Sequence, residues 1–335
     1  MTNQHITLDD VEELAFEALR GAGTGNVSAR ALARAVRSAE EDGIPSHGLH
    51  YVPTYCEHVR CGKVDGQAIP EVVQKAEAAI VVDAGTGFAH PAIDAGFERL
   101  IPSAKKAGCA TLTVQNSYNC GVLGYHVERL ARSGLVGLGF TNAPASIAPL
   151  GGKRPVVGTN PIALGVPGAE GEAAFVIDQS ASVVAKSEIM MHARRGEAIP
   201  EGWALDREGQ PTTDPDSALQ GSMAPSGGYK GFGVGMIVEV FAAALSGATL
   251  GINASPFSGT AGGPPRTGQC FIAFAPGAFS GDAFAERIDA LAGAISAQEG
   301  CRLPGERRRQ ARERIRSTGV EVSEDLLARI RAFMP

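Results

Sequence analysis

Of the seven histidines in the chain, His47 stands out, because it lies between a serine and a glycine in the triplet Ser46, His47, Gly48. Imidazole is the side chain whose unperturbed charge change falls near neutral pH, so a histidine presented on a kinked backbone can give or take a proton during a reaction. The segment 42–45 follows a helical stretch and ends in a proline, which supplies such a kink. Asp178, at the end of the apolar run 175–177, is the carboxylate that would orient and charge-balance the ring. Lys230 offers a compact positive charge within GGYKGFG (227–233), where glycines let backbone approach a ligand. Residue type alone leaves plainer readings open: a structural or surface histidine, an aspartate capping a turn with Ser180 or Ser182, and a solvated lysine.

These residues need ordered supports. The stretch 142–167 mixes Gly151, Gly152, Gly158 and Gly165 with Pro144, Pro149, Pro155, Pro161 and Pro167, so it cannot run as a helix and must form loops and short strands. Loops that expose amides suit anionic, hydrogen-bonding ligands such as dinucleotides, with Thr159 and Asn160 as polar tips. Thr7 followed by Asp10 signals a helix start, and Val11, Leu14, Ala15 and Ala18 continue it over 8–20. Ser28 opens a second helix that closes near Gly43. A turn is expected at 83–88 and a helix over 89–107, ended by Gly108. A strand over 110–114, a helix over 121–133 and a strand over 135–141 come next, then a strand over 175–178. The segment 194–225 reads as irregular, 233–245 as a helix, 259–268 as flexible and 270–274 as a strand, with helices over 282–298 and 323–333. GAGTGN (21–26) follows a helix and GFGVGM (231–236) enters one, so the strand-glycine-helix fingerprint of a Rossmann nucleotide site is absent.

At 335 residues with 44% apolar side chains, the chain can bury sizeable cores. A net charge of -6 gives no basic field for nucleic acid, and Arg307, Arg308 and Arg309 read as a solvated helix face. The opening residues lack a basic, apolar secretion signal, and no window reaches the roughly 18 apolar residues of a spanning helix, so a cytoplasmic enzyme with no membrane partner is expected. Six scattered cysteines without CxxC pairs indicate reduced thiols and no metal centre. Cys120, inside the candidate cofactor stretch, is read as reactive or, more plainly, as a small buried apolar residue.

SHG (46–48), NSYNCGVLGYHVERLARSGLVGLGFTNAP (116–144), DQSASVVAK (178–186), GWALDREGQPTTDP (202–215), GGYKGFG (227–233) and RLPGERR (302–308), in this order and spacing, resemble the type-2 malate/L-lactate dehydrogenase family over roughly 7–333. That family includes reductases of the cyclic ketimines Δ1-piperideine-2-carboxylate and Δ1-pyrroline-2-carboxylate. The resemblance implies a non-Rossmann α/β fold. A central, mostly antiparallel sheet domain (76–250) would bind the dinucleotide, beside a helical region built from 1–75 and from 251–335. It implies a homodimer using NADP or NAD on a small carboxylate substrate. His47 would be the acid/base, with Asp178 and Ser46 assisting; Lys230 and Tyr51 would contact substrate. Asn116, Ser117, Gly121, Thr159, Asn160, Pro161 and Ser182 would hold the cofactor.

Two positions depart from the family pattern. SHG is commonly followed at its third position by arginine, which clasps a carboxylate at two points, but Tyr51 stands here and donates one hydrogen bond without charge. NSYNCG carries Asn119 where the family often has histidine. The resemblance together with Tyr51 points to reduction of a cyclic ketimine carboxylate to the cyclic L-amino acid. The alternatives are a 2-oxo acid/2-hydroxy acid dehydrogenase and a non-catalytic nicotinamide-binding protein.

Overall fold

The computed structural model describes residues 3–335. Its centre is a seven-stranded sheet in the order Glu71–Ala76, Ala79–Asp83, Cys109–Ser117, Thr267–Phe274, Val136–Thr141, Ile162–Pro167, Ala173–Gln179. Only the pair Ala79–Asp83 and Cys109–Ser117 is parallel, because the helix Ala89–Ala107 carries the chain back between them. The remaining pairings are antiparallel, so the sheet has the mostly antiparallel, non-Rossmann character that the resemblance implies.

Both faces of the inner strands are covered. On one, Ile80, Leu112, Val114 and Phe271 pack with Ile93, Phe97 and Leu100 of the helix Ala89–Ala107 and with Leu123, Val127 and Leu130 of the helix Leu123–Arg132. Gly165 permits that second contact, since a Cβ there would lie 2.2 Å from the Val127 carbonyl oxygen. On the other face, Phe140 and Cys270 meet Val238 and Ala242 of the helix Tyr229–Glu239 and the π-turn Val240–Ala244.

A helical layer lies beside the sheet. The helices Leu8–Gly21, Asn26–Glu41, Val52–Arg60 and Glu324–Arg331 share one core of Val11, Leu19, Leu32, Val36, Val52, Leu327 and Ile330. The strands Asn3–Ile6 and Val320–Ser323 pair antiparallel and close it. Thr7 and Asp10 form a reciprocal capping box at the first helix, which contributes about 1 kcal/mol.

Several boundaries differ from expectation. The second helix starts at Asn26 behind Gly25, not at Ser28, whose side chain caps nothing and is buried. The Gly25 amide is instead drawn to the Gly66 carbonyl, 2.9 Å away. The segment expected to be irregular forms three two-residue strands, Ala204–Leu205, Pro211–Thr212 and Ser222–Met223, and a helix Pro215–Gln220, around Ile147, Val157, Ile199 and Met223. The next helix begins at Tyr229, four residues early, and ends in the π-turn. The strand Thr267–Phe274 sits at the middle of the sheet, so the segment 251–335 serves the sheet as well as the helical layer. Among the described residues no helix is long and apolar enough to cross a membrane.

Candidate active site

After Glu41 the chain makes two consecutive 3-10 turns, Pro45–His47 and Leu49–Tyr51, hinged at Gly48. Four residues of this tight winding bring the rings of His47 and Tyr51 nearly parallel, 6.4 Å apart at 11°. The Ser46 hydroxyl lies 3.1 Å from His47 Nδ1. In the protonated ring that gives up a proton, Nδ1–H donates to the Ser46 oxygen and Nε2 carries the transferable hydrogen. Solvent reaches the ring, yet the protein packed around its other sides disfavours the imidazolium. This desolvation lowers its pKa; the Asp178 charge opposes the lowering and the Arg308 charge adds to it.

Asp178 reaches the site from the strand Ala173–Gln179. Its Oδ2 accepts from the Gly124 amide and from Arg308 Nη2, each at 2.9 Å. It therefore does not cap a turn with Ser180 or Ser182, whose hydroxyls face each other at 3.0 Å. Arg308 corrects the sequence reading. Arg307 and Arg309 are solvated, as expected of the run, but Arg308 turns inward from the helix Glu306–Thr318 to its partner 130 residues away. No local pattern distinguishes it from its neighbours; only the long-range pairing does.

Tyr51 is braced by a further ring and an amide. Tyr55 meets it edge-on at 4.7 Å. Asn119 Nδ2 donates to the Tyr51 hydroxyl at 3.3 Å, and Asn119 Oδ1 accepts from the Tyr55 hydroxyl at 3.4 Å and from the Gly121 amide at 3.2 Å. Burial raises the pKa of both phenols, so they remain neutral hydroxyls. The outcome is a wall without net charge beside His47. Asn119 is thus a connector, and Tyr55 is a site residue that the sequence reading passed over.

The expected cofactor residues fall into two groups. Asn116 adopts φ +51°, with its amide on Asp83 at 2.9 Å, and leads into the Gly121 turn at φ +66°. Ser117 is fully committed, its hydroxyl lying 2.9 Å from both the Thr267 carbonyl and Gln269. In the second group the Ala181 amide binds the Thr159 carbonyl at 2.7 Å, the Ser226 amide binds the Ala181 carbonyl at 2.8 Å, and Ser182 bridges to Pro225. Pro161 accepts from the Thr141 amide.

Asn160 is not the polar tip expected. It is fully buried at φ +37°, donating to the Gly235 carbonyl and Glu239 and accepting from the Ala143 amide. Ser182 is likewise buried, its hydroxyl on the Val184 carbonyl at 2.7 Å. These side chains hold loops in place and leave backbone and glycine surface as what a ligand can touch. Cys120 is buried, and burial pushes its thiol up to about 12, which disfavours the thiolate and fits the small apolar reading.

Lys230 is exposed at the start of the helix Tyr229–Glu239 and forms no ion pair among the described residues. Gly227 and Gly228 just before it have φ of +66° and +68°, and nothing lies within 4 Å of where their side chains would stand. A glycine turn with open space in front of it, beside an unpaired cation, fits the phosphates of a dinucleotide. A cavity of about 360 Å³ is lined by Val176 and Arg308 among others, and neither His47 nor Asp178 lines it.

The model of the malate/L-lactate dehydrogenase family matches residues 6–331. The chain belongs to this family. As a family member it is an oxidoreductase, and its relatives bear names of more than one substrate class. It is 46% identical over 330 residues to the (2R)-3-sulfolactate dehydrogenase (NADP(+)) of Chromohalobacter salexigens, covering 98% of this chain and 97% of that one. It is 39% identical over 333 residues to the Δ1-pyrroline-2-carboxylate reductase of Ancylobacter novellus, at 98% and 97% coverage. The crystal structure of the Δ1-piperideine-2-carboxylate reductase from Pseudomonas syringae pvar. tomato superposes with a TM-score of 0.92 at 35% identity, covering 98% of this chain and 99% of that one.

Proposed function

We propose that this chain reduces a cyclic ketimine carboxylate of the Δ1-pyrroline- or Δ1-piperideine-2-carboxylate class to the cyclic L-amino acid with NADPH or NADH. The observation that carries the reading is the uncharged wall of Tyr51, Asn119 and Tyr55 beside His47. Because the Tyr51 oxygen accepts from Asn119, its own hydrogen can be donated to a substrate carboxylate. The ring face next to it suits a flat, partly apolar heterocycle.

When bound, the reduced nicotinamide supplies the hydride to the C=N carbon. His47 Nε2 gives a proton to the ring nitrogen. Ser46 holds the opposite nitrogen of the imidazole, and Asp178 favours the protonated ring before transfer. Lys230 and the open turn at Gly227 and Gly228 would take the phosphates, and the backbone of the Thr159, Pro161 and Ser182 loops and of the Asn116 to Gly121 turn would line the nicotinamide half. In this reading 76–250 is the dinucleotide domain, with 1–75 and 251–335 completing it. Two copies associate through Met236, Ile237, Val240 and Leu245, which the single chain leaves exposed on one helix and its π-turn.

The sulfolactate relative, at 46% identity, and the inward Arg308 favour a second reading, a 2-oxo acid with a further anionic group. NADPH and NADH oxidation against Δ1-pyrroline-2-carboxylate, Δ1-piperideine-2-carboxylate, oxaloacetate, pyruvate and 3-sulfopyruvate separates them, and a higher kcat/KM on the oxo acids refutes the ketimine assignment. His47→Ala is expected to lose about 10²-fold or more in kcat with the dinucleotide still bound. Full activity in that variant refutes the proton-donor role.

A further inference from the structure

Glu40 lies in the last turn of the helix Asn26–Glu41 and is only 5% exposed, yet it forms no ion pair among the described residues. Its carboxylate accepts the Leu49 amide at 2.7 Å. A Cβ built on Gly48 would stand 2.2 Å from Glu40 Oε1, and the two next nearest atoms, at 2.6 and 2.8 Å, also belong to Glu40. The carboxyl thus fills the space that any side chain at 48 would need. This close approach leaves no room for a side chain at 48. Burial without a cation raises the pKa of the Glu40 carboxyl, against the opposing Leu49 amide.

Gly48 is the hinge between the two 3-10 turns, one ending at His47 and the other at Tyr51. Whatever holds residues 48 and 49 therefore sets the relation of the two rings. We propose that Glu40 is a positioning residue that fixes the Gly48 hinge, and through it the placement of His47 against Tyr51, by shape and by its bond to the Leu49 amide. The proposal rests on His47 being the proton donor. Among the described residues no hydrogen bond joins Glu40 to either ring, and its bond runs to the Leu49 amide, so its effect reaches the chemistry through the backbone.

The test compares kcat, KM and dinucleotide affinity, the last read from cofactor fluorescence, in Glu40→Ala, Glu40→Gln, Gly48→Ala and the double variant Glu40→Ala/Gly48→Ala. Glu40→Ala and Gly48→Ala are each expected to lower kcat by about 10- to 100-fold while dinucleotide Kd stays within about threefold. Glu40→Gln keeps the shape and an oxygen that accepts from Leu49, so it should retain kcat within about threefold. Adding Gly48→Ala to Glu40→Ala should cost little more, because all three blocking atoms are gone. A wild-type kcat in Glu40→Ala or Gly48→Ala overturns the proposal. So does a multiplicative loss in the double variant, or a loss of dinucleotide affinity in step with kcat. If Glu40→Ala does not fold, Gly48→Ala, which removes no group, decides by the same kcat criterion. An active His47→Ala would instead overturn the proton-donor reading, whereas an inactive His47→Ala beside a normal Glu40→Ala overturns the positioning role alone.

Discussion

Replacing Arg312 with methionine tests the electrostatic joint that holds the helical layer to the sheet. The Arg312 guanidinium places Nε 2.5 Å from Asp42 Oδ1, and Nη1 and Nη2 2.5 and 2.6 Å from the two oxygens of Glu128. The side chains are 15%, 2% and 10% exposed, in that order. Three segments meet in this way: the end of the helix Asn26–Glu41, the helix Leu123–Arg132 and the helix Glu306–Thr318. Methionine keeps the aliphatic stem but leaves two buried carboxylates without their shared cation, and breaking a buried pair from one side costs about 3–5 kcal/mol. An unfolding entropy of about 2.1 cal/mol/K per residue gives about 0.7 kcal/mol/K for a chain of this length, so Tm should fall by about 4–7 °C.

The deficit should depend on pH. In the wild type, burial works against the ionised Glu128, but Arg312, with Arg132 and Arg308, outweighs it and holds the Glu128 pKa below the ordinary value. A lowered folded-state pKa stabilises above the unfolded value and stops doing so as pH falls through the folded one. In the variant, acid instead removes uncompensated charge. The difference between the two proteins should therefore shrink from pH 7 toward about pH 4. Calorimetry or circular dichroism at both pH values measures it, and the triple variant Asp42→Asn/Glu128→Gln/Arg312→Met should regain part of the loss. A loss at pH 7 of under about 1 kcal/mol, typical of solvated pairs, would refute the reasoning.

Two more outcomes are expected. With His47 as the proposed proton donor, the rate in the reducing direction is expected to fall as pH rises through its pKa. Asp178→Asn removes a charge that raises that pKa and should move the fall in kcat/KM to lower pH, whereas Arg308→Gln removes one that lowers it and should move the fall to higher pH; shifts in the same direction contradict the assigned electrostatics. Lys63 is fully buried, its ammonium donating to the Pro256 carbonyl at 2.6 Å and the Gly259 carbonyl at 2.9 Å. Lys63→Met takes from Pro256 its donor, costs about 1–3 kcal/mol and should speed limited proteolysis within 256–266; an unchanged cleavage rate argues against the lysine as the anchor of that loop.

What could be read in advance was whatever is encoded locally. Thr7 with Asp10 marks a helix start because the cap is made within four residues, and Gly108 ends the helix Ala89–Ala107 because φ of +84° suits glycine. The absence of a strand-glycine-helix fingerprint excluded a Rossmann site without any coordinates. What could not be read depends on partners distant in the chain. Arg308 looks like Arg307 and Arg309 until Asp178 is placed beside it, and Ser28 loses the cap to Gly25 because residues 66 and 67 draw the backbone in. Asn160 and Ser117 were placed in the expected cofactor set by motif, but their side chains bind other parts of this chain. Glu40 carries no motif at all; only the atoms crowded against Gly48 reveal it.

The antiparallel pairing of Asn3–Ile6 with Val320–Ser323 has a consequence for how the molecule is made. The helical layer recruits Leu326, Leu327 and Ile330 from one end of the chain to cover Val11, Ala15 and Leu19 at the other, so it cannot be completed on the ribosome while the intervening three hundred or so residues are still emerging. Until then the segment bearing the imidazole sits on a half-covered apolar surface, and its final support arrives only with the late helix.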